Sequence, residues 1–187
     1  MPGLDQYIPE RAWFDRQAQR AFTGTHGIGH ITRVLVWSEQ IAERFRAPLR
    51  SEELLWAAGL HDIKRWDDGI DRDHGARAAA WVRAEFASVR PEVAATLDLD
   101  LVATLCRDHQ RSDHLIADWT DELRVLKDAD GLERVRIHDL DPRRLRLHDI
   151  SPALEPCAWD LMERSVALGN TAEAVRRAAE DMGLWAL

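Results

Sequence analysis

Residues 51–65 read SEELLWAAGLHDIKR, and the reading of this stretch decides the fold. Ser51 stands where an N-cap is expected, Glu52 and Glu53 follow in the first turn where the helix dipole favours acids, and Leu54, Ala58 and His61 fall at i, i+4 and i+7. The segment is a short, mostly apolar helix that brings His61 to its buried side near the C-terminal end.

Working outward, almost every apolar segment repeats with a helical period, and none of useful length alternates strictly. The chain is therefore expected to be all-α, a single-domain helical bundle. A first helix is expected over about residues 9–22. After the glycine-rich break TGTHGIG a second starts near His30, with Ile31, Val34, Leu35, Ser38 and Ile41 as its apolar stripe, and Pro48 marks its end. Beyond the turn WDDGIDRD a helix is expected from Asp73 to Val89, and Pro91 opens the next segment. In LDLDLVATLCRDHQ, Leu101, Leu105, Asp108 and His109 share a face; Thr120 caps TDELRVLKDADGLERV, whose Leu123, Leu126, Ala129 and Asp130 point one way. Residues 138–156 carry three prolines and dense charge and read as a surface connection, with two outer helices following at about 156–168 and 171–184.

At 187 residues the chain suits one domain, and 45% apolar with 31% charged residues is a globular composition. Its net charge of −8 argues against a protein that grips long nucleic acid by neutralising phosphates, but leaves room for a local basic pocket that takes a small anion. Cys106 and Cys157 lie outside any CxxC pattern and read as free thiols. With no signal-peptide pattern at the N-terminus and no run of about 18 apolar residues, a cytoplasmic protein without membrane segments is expected. The eight tryptophans sit mostly at helical spacing and read as core.

The dipeptide His-Asp occurs three times, at His61-Asp62, His138-Asp139 and His148-Asp149, and at most one of these is expected to hold a metal. The last two fall in the charged connection, and His114, His138 and His148 are expected to face solvent. A single histidine on an apolar face is usually a hydrogen-bonded core residue. What changes the reading is a set: His30, His61, Asp62 and Asp130 all sit on helices with an apolar face, and burying ionised carboxylates there is costly unless a cation recruits them. Two imidazoles and two carboxylates suit a divalent ion with open positions, such as Mn, Fe, Co, Ni or Mg, better than a closed structural zinc. Asp128, two residues before Asp130 and on another helix face, is expected to be solvated, as is the cluster Arg143, Arg144, Arg146 interleaved with Asp139, Asp141 and Asp149.

The succession HGIGHITRV, LHDIKR, DRDHG, DHQ and LKDADGLERV resembles the HD superfamily of metal-dependent phosphohydrolases over about residues 26–136. The resemblance implies an HD-type bundle with His30, His61, Asp62 and Asp130 as metal ligands. It divides the chain into an N-terminal helix (1–25), a core with the metal site (26–136) and a C-terminal connection with helices (137–187) that complete the same domain. Two activities of the superfamily are disfavoured. The stringent-response hydrolases carry acids three and four places after the motif aspartate, where this chain has Arg65 and Trp66. The cyclic-di-nucleotide phosphodiesterase signature HHExxDGxGYP is absent.

The expected reaction is hydrolysis of a small phosphate ester, a nucleotide or related phosphorylated metabolite, by a water whose pKa one or two metal ions lower. Asp62 is expected to orient that water, and Asp67, Asp68 or Asp73 in the following turn to act as general acid or base. Lys64, Arg65 and His26 are assigned to substrate oxygens, Arg65 matching the arginine of HDIxR. For His74 and His109 three roles stand open: ligands of a second metal bridged by Asp62, contacts to substrate phosphate beside a single ion, or ordinary structural histidines. The alternatives in function are a dinuclear iron oxygenase on the same scaffold and a non-catalytic nucleotide-binding module. Oligomeric state has no signature in the sequence.

Overall fold

Ile31, Val34, Leu35, Ser38 and Ile41 are fully buried, and so are Val36 and Trp37 on the other side of the same helix. A helix covered all round is a central one, and here it is the axis of the bundle. The computed structural model describes residues 3–14 and 22–185. Among them the helices are α1 (Ile28–Arg44), α2 (Ser51–Leu60), α3 (His74–Ala84), α4 (Phe86–Val89), α5 (Pro91–Ala94), α6 (Leu99–Asp108), α7 (Asp121–Leu132), α8 (Glu155–Ala167) and α9 (Ala172–Asp181), with 3-10 turns between several of them and no strand. The all-α expectation is met. Helices α2, α7, α8 and α9 pack around α1, while α6 packs on α2, α3 and α7.

Helix α2 is buried from Glu53 to Leu60. Its start differs slightly from expectation: Ser51 is the first helical residue and Arg50 the cap, without a side-chain cap bond. Instead Glu122 Oε1 of α7 accepts the Arg50 N–H at 2.9 Å, so a neighbouring helix supplies the acceptor. Thr120 does cap α7, its side chain accepting the Leu123 N–H at 3.1 Å.

Three expectations need correction. The helix expected over 9–22 is a 3-10 turn at Arg11–Trp13 followed by extended backbone at Phe14, with 15–21 outside the described residues. Trp13 there joins a cluster with Trp56, Trp81 and Phe86 at centroid distances of 6.5, 5.7 and 6.3 Å, so packing overrides helical period. The helix expected over Asp73–Val89 breaks at Glu85, and Phe86 enters that cluster fully buried.

The third concerns Asp128 and residues 138–156. Asp128 is fully buried. Its carboxylate accepts the backbone N–H groups of Arg146 and Leu147 and the hydroxyl of Ser151, each at 2.8 Å, and the Arg146 guanidinium at 3.3 Å. A buried carboxylate with this many donors is satisfied without solvent. The connection is thereby pinned to α7, and Arg146 is bound to Asp128 and Asp113 rather than lying in a self-neutralising surface patch. His114, His138 and His148 are exposed, as expected.

Two glycines allow the close approaches that build the site. A Cβ on Gly75 would lie 2.6 Å from the Cys106 carbonyl oxygen, so the start of α3 sits directly on the end of α6. One on Gly29 would lie 2.5 Å from the Asn170 carbonyl oxygen, which brings the α8–α9 junction against the first turn of α1.

Candidate metal centre

Five helix ends converge on Asp62, which follows α2 and is 3% exposed. Its two oxygens face two different sets of partners. Oδ2 lies 3.3 Å from His26 Nδ1, 3.6 Å from His30 Nε2 and 3.8 Å from His61 Nε2. Oδ1 lies 3.0 Å from His74 Nε2 and 3.7 Å from His109 Nε2. Asp130, at the rim with a side chain one-third exposed, reaches His30 Nε2 at 3.4 Å.

The imidazoles share one orientation. His61 Nδ1 is 2.7 Å from the Ala58 carbonyl, His109 Nδ1 is 2.7 Å from the Cys106 carbonyl, His74 Nδ1 meets the Asp71 carbonyl, and His30 Nδ1 is 3.4 Å from Glu133 Oε2. Each Nδ1–H is thus donated outward, which leaves the Nε2 lone pair pointing inward, the tautomer that outer-sphere oxygens impose on metal-binding histidines. The inward atoms are close: His30 Nε2 to His61 Nε2 is 3.3 Å, and His74 Nε2 to His109 Nε2 is 3.0 Å. Facing lone pairs repel, and Asp62 Oδ1 is buried without a hydrogen bond of acceptable geometry.

A cation resolves all three problems. Ligands about 2.1 Å from one ion stand roughly 3–3.5 Å apart, which is the spacing found here. His30, His61, Asp62 and Asp130 therefore fit a divalent ion, and His74, His109 and the other oxygen of Asp62 offer a second place. Metal-sized groupings within 4.8 Å include His30 with His61 and Asp130, His61 with Asp62 and His109, and His26 with His30 and Asp62. Cys106 is fully buried and burial pushes its thiol up, so it offers no thiolate.

Protonation suits this use. Burial pushes the pKa of His30 well down, with Arg136 adding to the effect, and burial also lowers His61. Both stay neutral and able to coordinate. Burial alone would raise Asp62 and Asp130, but the surrounding groups win. His61 and the close approach of the His109, His26 and His74 imidazoles hold Asp62 well below the usual carboxylate range, and His30, His61, His109 and Arg136 push Asp130 down to about 2.

The cluster forms part of the lining of a cavity of about 800 Å³, lined by eight arginine or lysine side chains and seven aspartates in a chain of net charge −8. Arg65 faces it, with its NH1 3.9 Å from Asp62 Oδ1. His26 and Asp68 also line it, and Asp68 accepts the N–H groups of Thr25 and His26 at 3.1 and 3.0 Å. Asp67 and Asp73 are absent from the lining; Asp67 instead accepts the Gly69 N–H at 2.7 Å. Lys64 is turned the other way, donating to the Trp13 carbonyl at 2.6 Å and lying over the Trp81 ring. Its expected role on substrate oxygens is corrected accordingly.

Sequence reading missed three residues. Glu133 is fully buried, holds His30 Nδ1 and accepts Arg33 Nε at 2.8 Å. Arg33 in turn donates to Ser165 Oγ at 3.0 Å and Asn170 Oδ1 at 2.7 Å, tying a candidate ligand to the C-terminal helices. Arg136 lines the cavity beside His26. The available signal was helical spacing: Arg33 is three residues after His30, and Glu133 three after Asp130.

The family model for the HD domain matches residues 27–135. The chain belongs to the HD domain family, part of a superfamily of metal-dependent phosphohydrolases. No curated protein and no solved structure matches it. No helix among the described residues is long and apolar enough to cross a membrane.

Proposed function

We propose that the protein hydrolyses a small phosphate ester with the help of two divalent ions, for both of which Asp62 would serve as a ligand. The observation that carries this reading is the division of Asp62, one oxygen toward His30 and His61 and the other toward His74 and His109. His30, His61 and Asp130 would hold one ion, and His74 and His109 the other. When bound, the ions supply Lewis-acid polarisation of a phosphoryl oxygen and a lowered pKa for the attacking water.

The chain's own residues do the rest. Asp62 fixes the spacing between the two half-sites and orients the water. Arg65, held by the Asp67 and Gly69 carbonyls at 3.0 and 2.8 Å, presents a guanidinium to the phosphoryl group. His26, 3.3 Å from Asp62 Oδ2, is placed to donate to a phosphate oxygen. Of the three aspartates considered for proton transfer, Asp68 is assigned to it because it alone faces the cavity. A cavity of about 800 Å³ has room for a nucleotide-sized ester.

Phosphatase activity on a panel of phosphate esters, with manganese, iron or cobalt restored after chelation, tests the reading. Activity should appear with metal, vanish on chelation and fall in Asp62→Ala by more than the roughly 10–100-fold that loss of an outer-sphere partner costs. Full activity in Asp62→Ala ends it. The paired histidines also suit a dinuclear iron oxygenase. Oxygen uptake on substrate addition, with no phosphate released from any ester, would favour that second reading.

A further inference from the structure

Arg136 is unlike most cations of the cavity. Arg146, Lys127, Arg134 and Arg144 each have a carboxylate oxygen within 4.0 Å. Arg136 has none among the described residues. Its guanidinium is held by neutral acceptors: Nε donates to the Thr25 carbonyl at 3.0 Å, NH1 to the Glu133 carbonyl at 2.8 Å and NH2 to His26 Nδ1 at 3.0 Å. Among the described residues three of its five N–H donors are used and two remain. The Glu133 carboxylate is committed to Arg33.

Arg65 mirrors this on the other flank. It too is fixed by backbone carbonyls, and its NH1 lies against His74 at 3.2 Å, on the Oδ1 side of Asp62. Arg136 reaches the Oδ2 side through His26, whose Nδ1 is 3.3 Å from that oxygen. Two guanidinium forks fixed by backbone carbonyls therefore flank one carboxylate inside a chain of net charge −8, Arg65 with Asp62 Oδ1 at 3.9 Å and Arg136 with no carboxylate oxygen within 4.0 Å among the described residues. Such forks match a tetrahedral oxyanion that offers several oxygens at once.

We propose that Arg136 and Arg65 form a two-sided seat for a terminal phosphate dianion, which makes the substrate class phosphate monoesters rather than diesters. A diester spreads one negative charge over two free oxygens where a monoester dianion spreads two over three, so a diester balances only one of the two guanidinium charges. Leu140, Leu145 and Ile137 on the cavity wall offer an apolar surface for the organic part of the ester. This deepens the hydrolase reading and rests on it for the word substrate. The seat itself is a claim about binding and is tested separately.

The probe is inorganic phosphate, titrated calorimetrically into the metal-loaded full chain with metal content measured in each sample. Wild type should bind phosphate, Arg136→Ala should bind it at least about tenfold more weakly at equal metal content, and Arg136→Lys should recover part of the loss. In turnover, the wild-type preference for p-nitrophenyl phosphate over bis(p-nitrophenyl) phosphate should shrink about tenfold in Arg136→Ala. Should Arg136→Ala lose its metal, Arg136→Lys at full metal decides: weakened phosphate binding supports the seat, and wild-type affinity overturns it. Equal turnover of the two esters by wild type also overturns it. Arg136-dependent phosphate binding with no ester hydrolysed leaves the seat standing and removes the hydrolase reading instead.

Discussion

Glu133 shows at the residue scale how a ligand is held from behind. It is fully buried, and one of its oxygens meets both His30 Nδ1 and Arg33 Nε while the other, Oε1, has no hydrogen bond among the described residues. An anion behind an imidazole fixes its tautomer and raises its basicity toward a metal. Glu133→Gln keeps the shape and removes the charge, so metal affinity should fall about 10–100-fold with the helical signal unchanged; unaltered affinity by competitive chelation would refute that role. Protonation adds a second expectation. Burial lowers His30 and His61, whereas for His74 burial is outweighed by its close contact with the Asp62 carboxylate at 3.0 Å and by the Asp71 carbonyl, so its pKa is raised. A raised pKa means that His74 protonates first as pH falls, and a protonated imidazole cannot coordinate. Acid titration below neutrality should therefore release the ion on the His74 and His109 side before the other. Release of both in one step, followed by metal analysis of dialysed samples, would contradict it.

At the scale of elements, the site depends on where helices end. His61 and His109 are the C-caps of α2 and α6, and His74 is the first residue of α3. At such positions backbone groups lack intrahelical partners, and here the imidazoles meet carbonyls of the last turn. Gly75 is what lets α3 start against the end of α6. Gly75→Ala forces the two apart, so it should weaken binding of one ion, that of His74 and His109, more than the other, and lower thermal stability by about 1–3 kcal/mol. Equal loss of both ions, or of neither, would show that the α3–α6 approach does not set this half-site.

For the whole molecule, what the sequence disclosed followed from periodicity and spacing. The stripe of α1, the Thr120 cap and the exposure of the two later His-Asp pairs were all local matters, and local patterns carried them. Residues whose meaning depends on distant partners were not legible. Asp128 reads as a surface acid because the donors that satisfy it lie eighteen or more residues on, at Arg146, Leu147 and Ser151. Lys64 follows the ligands in sequence but is drawn to the Trp13 carbonyl. Trp13 itself is placed by an aromatic cluster assembled from three separate segments. The histidine set was visible as an ordered list, whereas the division of Asp62 between two pairs of histidines needed coordinates.

That division is the central claim, and metal stoichiometry tests it most directly. Elemental analysis of protein saturated with a divalent metal at about pH 8 and then desalted should give two ions per chain, with none retained by Asp62→Ala. His74→Ala should retain one. A single ion in wild type, unchanged in His74→Ala, would contradict the bridged centre, and two ions surviving in Asp62→Ala would remove Asp62 from it altogether.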